Sequence, residues 1–193
     1  MVFIVLEGLD KAGKTSVAKG LESRIKGARY SKGLTSDTWI GRIAPKMPST
    51  LAFAFELMYI TSRIIRPALR KNETILQDRY EISVGSYPTA ERWYNRAILS
   101  VTRRFLLNPD ILLYFTVSCS ERIDRLRQDA ENRYHAELIN NPDEIYAREK
   151  RYLKFYNAFE GSKYIIDTTG KSVDYVVSST MQMINNLYYK NIA

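Results

Sequence analysis

The run FIVLEGLDKAGKT, residues 3–15, confines what this chain can fold into more than any other stretch. Four apolar residues, Phe3 to Leu6, predict a buried strand that ends near Glu7, and residues 14–26 carry a helical pattern closed by Gly27. Between them Gly8, Gly13, Lys14 and Thr15 match G-x-x-x-x-G-K-[ST], a spacing that has meaning only between a strand and a helix. Glycines let the backbone curl until successive N–H groups face inward, and the helix that follows adds its positive end, so the loop is built for an anion. Gly8, Ala12, Gly13 and Ser16 are the expected loop contacts to a nucleotide's phosphates. Lys14 reaches the β- and γ-phosphates, and the Thr15 hydroxyl is a ligand for Mg²⁺. A tight turn with no ligand is the bland alternative, and the flanking strand and helix weigh against it.

A phosphate-binding loop of this kind belongs to a parallel sheet, and the rest of the chain has the matching rhythm. Strands are expected at 2–7, about 28–31, 74–78, 111–117 and 163–167. Helices are expected at 14–26, 49–71, 89–107, 120–128, 142–160 and 172–189. The fold class is therefore α/β, a five-stranded parallel sheet with helices on both faces and a short lid. The 49–71 helix opens at Ser49 and is bent or ended near Pro67; Asn141 and Ser172 are expected to cap the helices after them. The stretch QDAENRYHAELINN at 128–141 is polar and without period, which predicts a loop or lid, and its His135 is expected to be exposed. No linker-like stretch divides the 193 residues, so a single domain is expected.

Composition narrows the partners. The formal net charge of +8 favours anionic ligands. No run of five basic residues marks a nucleic-acid arm or a lipid-binding patch, so no nucleic acid is expected. The first apolar run meets Glu7 at once and lacks a basic leader, and LAFAFELMYI is too short to span a bilayer. One cysteine, Cys119, suits a reducing compartment, so a soluble cytoplasmic protein without a membrane partner is expected.

A second motif decides between the chemistries that a phosphate loop allows. TILQDRY places Asp78 and Arg79 at the carboxyl end of a strand, where parallel sheets bind their ligands. Asp78 can hold a metal-bound water and Arg79 can clamp phosphate oxygens, although an isolated Asp-Arg pair is more often a salt bridge. There is no N-K-x-D guanine motif and no aromatic-basic track for a nucleic-acid strand.

In order and spacing, FIVLEGLDKAGKT, YITSR, DRYEISVGSY, PDILLYFTV and RLRQDAENRY resemble the thymidylate kinases, which phosphorylate dTMP with ATP and Mg²⁺. The resemblance covers about residues 2–170. It implies that Asp10 contacts the sugar hydroxyl of the acceptor and that Lys11 reaches the transferred phosphoryl group. Tyr59 and Arg63 look like the pair that stacks on thymine and bonds its edge; taken alone they read as a core tyrosine and a solvated arginine. Arg79 resembles the grip on the acceptor phosphate, and Asp78 the acid beside the metal. Ser83 and Tyr87 match positions near base and sugar, Arg125 the arginine that stacks over adenine, and Arg133 a lid arginine. Lys11, Lys14, Asp78 and Arg79 are thus the expected catalytic set, and the family implies a homodimer through its long helices. The chain departs from the family after its second strand, where Lys32 stands nearest to the usual arginine, and Tyr59 stands where phenylalanine is commoner. A kinase for another nucleoside monophosphate or a deoxynucleoside, or a nucleotide-dependent nucleic-acid-binding protein, stays open as an alternative.

Overall fold

A computed structural model describes residues 1–33, 49–86, 92–128 and 133–190. Strands β1 (Phe3–Glu7), β2 (Ala28–Lys32), β3 (Thr74–Asp78), β4 (Ile111–Thr116) and β5 (Ser162–Asp167) form one parallel sheet in the order β2-β3-β1-β4-β5. β1 lies between β3 and β4, with Leu6 opposite Asp78 and Glu7 opposite Tyr114. Both its faces are covered, so its five residues are all buried, and Phe3 to Leu6 read as a continuous apolar run rather than an alternation.

Alternate residues of the strands feed two cores. Phe3, Val5, Ile75, Leu112 and Tyr114 point to one side, and Ile4, Leu6, Leu76, Leu113 and Phe115 to the other. The second side is closed by α1 (Lys14–Arg24) through Val17, Ala18 and Leu21 and by α9 (Val173–Lys190) through Val176, Val177 and Ile184. The first is covered by α2 (Ser49–Ile60), a π-helical turn (Thr61–Ile65), α3 (Arg66–Arg70), α4 (Glu81–Gly85), α5 (Trp93–Arg103), α6 (Cys119–Arg127), α7 (Arg133–Asn140) and α8 (Pro142–Ala158).

All five expected strands form within two residues of their predicted ends. The predicted long helix is present as α2, the π turn and α3. Pro67, in the first turn of α3, has no N–H to give to the carbonyl of Arg63, and just before it the ladder shifts so that the Arg66 N–H bonds Thr61 O, five residues back. Ser172 caps α9 as expected, its Oγ accepting from Tyr175 N at 3.3 Å. Asn141 stands at the N-cap of α8 but makes no side-chain capping bond.

Two expectations are corrected. Residues 133–140 of the presumed loop form helix α7, and His135 is buried rather than exposed, 8% accessible beside Leu138. Eight residues with apolar contacts only at Leu138 and Ile139 are too few to display a helical period. Residues 87–91, part of the helix expected from 89, lie outside the described residues, as do 129–132 of the lid.

Candidate active site

The sheet's carboxyl edge brings the chemistry together. After β1 the chain passes through Gly8 at φ 139°, where a Cβ would lie 2.3 Å from Phe115 O, and Gly13 at φ 86°. Only glycine meets both demands at Gly8: the left-handed backbone and a neighbouring carbonyl within contact distance. Lys11, between them, holds φ 61°, which costs a non-glycine residue of order 1 kcal/mol and is a mark of functional loops. The loop is fastened from outside. Thr168 Oγ1 donates within reach of both Ala12 O (3.3 Å) and Thr116 O (3.1 Å). Arg125 donates to Lys11 O at 3.0 Å and Thr168 O at 3.3 Å, and pairs with Glu121 at 2.5 Å. Arg122 donates to Asp10 O at 2.8 Å and pairs with Glu149 at 2.6 Å.

Lys14 opens α1 and turns its ammonium back across the loop to Leu9 O, 2.8 Å away. Burial strips water from this cation and Arg79 repels it; Asp78, Asp10 and Glu7 pull the other way but lose, so its pKa falls from 10.5 to about 8. Thr15 Oγ1 donates to Asp78 Oδ2 at 2.5 Å, and the Tyr30 phenol donates to the same oxygen at 3.3 Å. The other Asp78 oxygen, Oδ1, is buried and has no hydrogen-bond partner. A buried carboxylate oxygen with nothing to accept from, beside a hydroxyl, suits a hard cation that carries its own water. Mg²⁺ takes few protein oxygens and keeps several waters, so this donor set fits it. Among the described residues no group of three or more His, Cys, Asp or Glu is placed to hold a metal ion.

Arg79 follows Asp78 with φ 68° and pairs with Asp10. Burial alone would raise the Asp10 carboxyl; Arg79, Lys14, Arg148 and His135 overcome it and hold the pKa at about 2. Asp10 is therefore an acceptor only.

The structure thus unites Asp10, Lys14, Thr15, Asp78 and Arg79, and sets Arg125 against the loop's outer side. Tyr59 is half-buried against the core near the end of α2, and Arg63 is exposed in the π turn. Lys32 is exposed at the end of β2, paired in register with Asp78. Ser83, which matches a position near base and sugar in the resemblance, sits behind β1's carboxyl end. It is fully buried, its hydroxyl donating to Glu7 Oε2 at 2.5 Å and lying 3.0 Å from the Tyr152 hydroxyl. Tyr87 lies outside the described residues, and Arg133 is described only as the first residue of α7.

Sequence reasoning missed Glu7, Tyr30, Arg122, Arg148 and Thr168. For Arg148 a signal existed: Ile145, Arg148, Tyr152 and Tyr156 fall at helical spacing, and an arginine inside an apolar stripe is a buried cation that needs an anion.

The chain matches the family model described as Thymidylate kinase over residues 6–179. It is similar to the thymidylate kinase of Mycoplasma capricolum, 26% identical over 204 residues, with 95% of this chain and 94% of the relative covered. It is likewise similar to that of Idiomarina loihiensis, 29% identical, with 67% of this chain and 72% of the relative covered. Among solved structures, the thymidylate kinase of Candida albicans superposes with a TM-score of 0.79 at 20% identity, covering 97% of this chain and 92% of that one. That of Ehrlichia chaffeensis gives 0.70 at 13% identity, covering 95% and 98%. At such identities the superpositions show the fold, a P-loop kinase sheet.

Proposed function

The chain belongs to the thymidylate kinase family, and on that premise we propose that it transfers the terminal phosphoryl group of ATP to dTMP, forming dTDP and ADP. The observation that carries this reading is the convergence of Lys14, Thr15, Asp78, Arg79 and Asp10 at one edge of the sheet. An acceptor monophosphate is already anionic, so no general base is required. What the reaction needs is two multiply charged phosphates brought end to end, which takes cations and exclusion of water.

In this reading Gly8, Lys11, Ala12, Gly13, Lys14, Thr15 and Ser16 hold the triphosphate, and Arg125 lies under adenine. Thr15 and Asp78 would hold Mg²⁺, which supplies charge neutralisation on the transferring oxygens. Lys11 and Lys14 steady the charge that develops as the bond to the leaving oxygen breaks, and Arg79 orients the acceptor phosphate. Asp10, an acceptor only, suits a sugar hydroxyl. Tyr59 and Arg63 face thymine, Tyr87 crowds a ribose 2′-hydroxyl, and the 128–141 segment with Arg133 closes over the phosphates. Ser83 acts from behind the pocket.

The unit is proposed to be a single domain and a cytoplasmic homodimer with no nucleic-acid partner. No described helix is long and apolar enough to cross a membrane. The support for a dimer is an apolar groove of about 770 Å³ between α2 and α5, lined by Leu51, Phe55, Met58, Val101 and Phe105 among others. Phe55, Val101 and Phe105 are each about half accessible there.

ADP formation from ATP across dTMP, dUMP, dGMP and thymidine tests the acceptor. The proposal expects dTMP to be preferred. Turnover of thymidine alone would overturn it, and salt-sensitive DNA binding without turnover would favour a binding protein.

A further inference from the structure

We propose that Glu7 is a positioning residue for acceptor binding, acting on Arg79 through the backbone of the turn after β3. The inference rests on the reading of Arg79 as the acceptor-phosphate grip. Glu7 ends β1 and is wholly buried. Its Oε1 accepts from Tyr80 N at 2.8 Å and from Ser83 N at 3.1 Å, and its Oε2 accepts from Ser83 Oγ at 2.5 Å. Tyr80 is the N-cap of α4 and Ser83 its third residue, so the carboxylate does from another strand what a capping residue does locally. Burial pushes the Glu7 carboxyl above its usual range, against the hydrogen bonds from Ser83 and Tyr80 and the pull of Arg79.

The residue just before this cap is Arg79, held at φ 68°. A strained backbone lasts only where its surroundings over-determine it. Here the Arg79 N–H bonds Leu6 O at 3.0 Å, and its carbonyl accepts from Gln77 Nε2 at 2.9 Å. The next N–H, that of Tyr80, goes to Glu7. Remove the carboxylate and two buried donors, Tyr80 N and Ser83 N, lose their acceptor, which favours a rearranged turn. Arg79 then swings from the direction in which it meets Asp10. The same carboxylate reaches α8 through Ser83 Oγ and the Tyr152 hydroxyl, one turn from Arg148. By contrast Lys14, Thr15 and Arg125 are held by Leu9, Asp78 and Thr168, none of which Glu7 bonds.

The consequence is a selective defect. Glu7→Ala is expected to raise the KM for dTMP about tenfold, the effect of losing one charge-assisted bond, with the KM for ATP changed less than about twofold. Ser83→Ala should move the same constant in the same direction by less. Glu7→Gln should restore most of the affinity, because its amide oxygen accepts from both N–H groups while its NH₂ donates to Ser83 Oγ, whose proton passes to the Tyr152 hydroxyl. In an Arg79→Ala background, Glu7→Ala should have no further effect on the dTMP KM, since the turn then has no side chain to aim. Equal changes in both KM values, additivity with Arg79→Ala, or a Ser83→Ala enzyme with unchanged dTMP KM would each overturn the proposal. Should Glu7→Ala fail to fold, the Ser83→Ala and Glu7→Gln pair decides it. If the unmodified chain forms no ADP with dTMP, the activity reading fails; if it does and the variants behave alike, only the role of Glu7 fails.

Discussion

Lys14 is held where a charged lysine is costly, and the size of that cost can be read from pH. Its pKa of about 8, against 10.5 in water, arises first from burial and then from Arg79. A lysine whose folded pKa is depressed binds more protons when unfolded, so its contribution makes the fold more stable as pH rises from about 8 to about 10.5. At pH 7 the shift corresponds to a penalty of about 3 kcal/mol, and at pH 9.5 to about 1.5 kcal/mol. Lys14→Met keeps the length of the side chain and removes the charge. It also removes the bond to Leu9 O, a loss that does not depend on pH. Urea unfolding of both proteins without nucleotide, at pH 7 and pH 9.5, isolates the titration. The stability of the variant relative to the original should fall by about 2 kcal/mol between the two pH values. The tyrosines with raised pKa values, such as Tyr152 at about 12, destabilise the fold only at higher pH and cancel in the comparison. A difference constant to within about 0.5 kcal/mol would refute the claim that Lys14 is a desolvated cation kept for its ligand.

The same shift predicts that nucleotide binding takes up protons: at pH 8.5, calorimetry in buffers of differing ionisation enthalpy should show uptake of about three-quarters of a proton, and Lys14→Met none. Asp78→Asn should lower kcat by about 10³ with the unfolding transition retained, since the Thr15 and Tyr30 bonds can re-form to the amide oxygen while the anionic oxygen is lost. Near-normal turnover would remove Asp78 from the reaction. Arg122→Ala should cost about 3 kcal/mol in urea unfolding, because it leaves Glu149 without its buried partner and frees Asp10 O; the double change with Glu149→Ala should cost less than the sum.

How much of this was legible in the sequence follows from the range of each interaction. The phosphate loop was readable because its requirements are local: glycine φ angles, one lysine and one hydroxyl within eight residues. The inner strands β1 and β4 were readable because burial on both faces makes them nearly uninterrupted apolar runs. Glu7, Tyr30 and Arg122 were not readable as site residues, since each matters through a partner 27 to 112 positions away. Helix α4 fails for the same reason, its cap being a glutamate 76 residues earlier than Ser83. Ser83 was assigned by its place in a motif, yet its hydroxyl faces β1, a direction that no motif encodes. His135 was misjudged because its neighbours are polar in sequence, while its face of α7 packs inward beside Leu138.

The site's charges are arranged as competing pairs, and this bears on how it can discriminate between anions. Arg79 pairs with Asp10, Arg122 with Glu149 and Arg125 with Glu121, while Lys14 has only a backbone carbonyl among its hydrogen-bond acceptors. A cation already neutralised gains little from a generic anion, since the new contact displaces an old one. It gains from a ligand that brings a phosphate for Arg79 and a hydroxyl donor for Asp10 together, because Asp10, held near a pKa of 2, must keep a partner once its arginine turns away. A sugar monophosphate satisfies both halves of that exchange and inorganic phosphate only one. On the proposed roles of Asp10 and Arg79, the pair would therefore favour a nucleotide acceptor over free phosphate before the base is read at all.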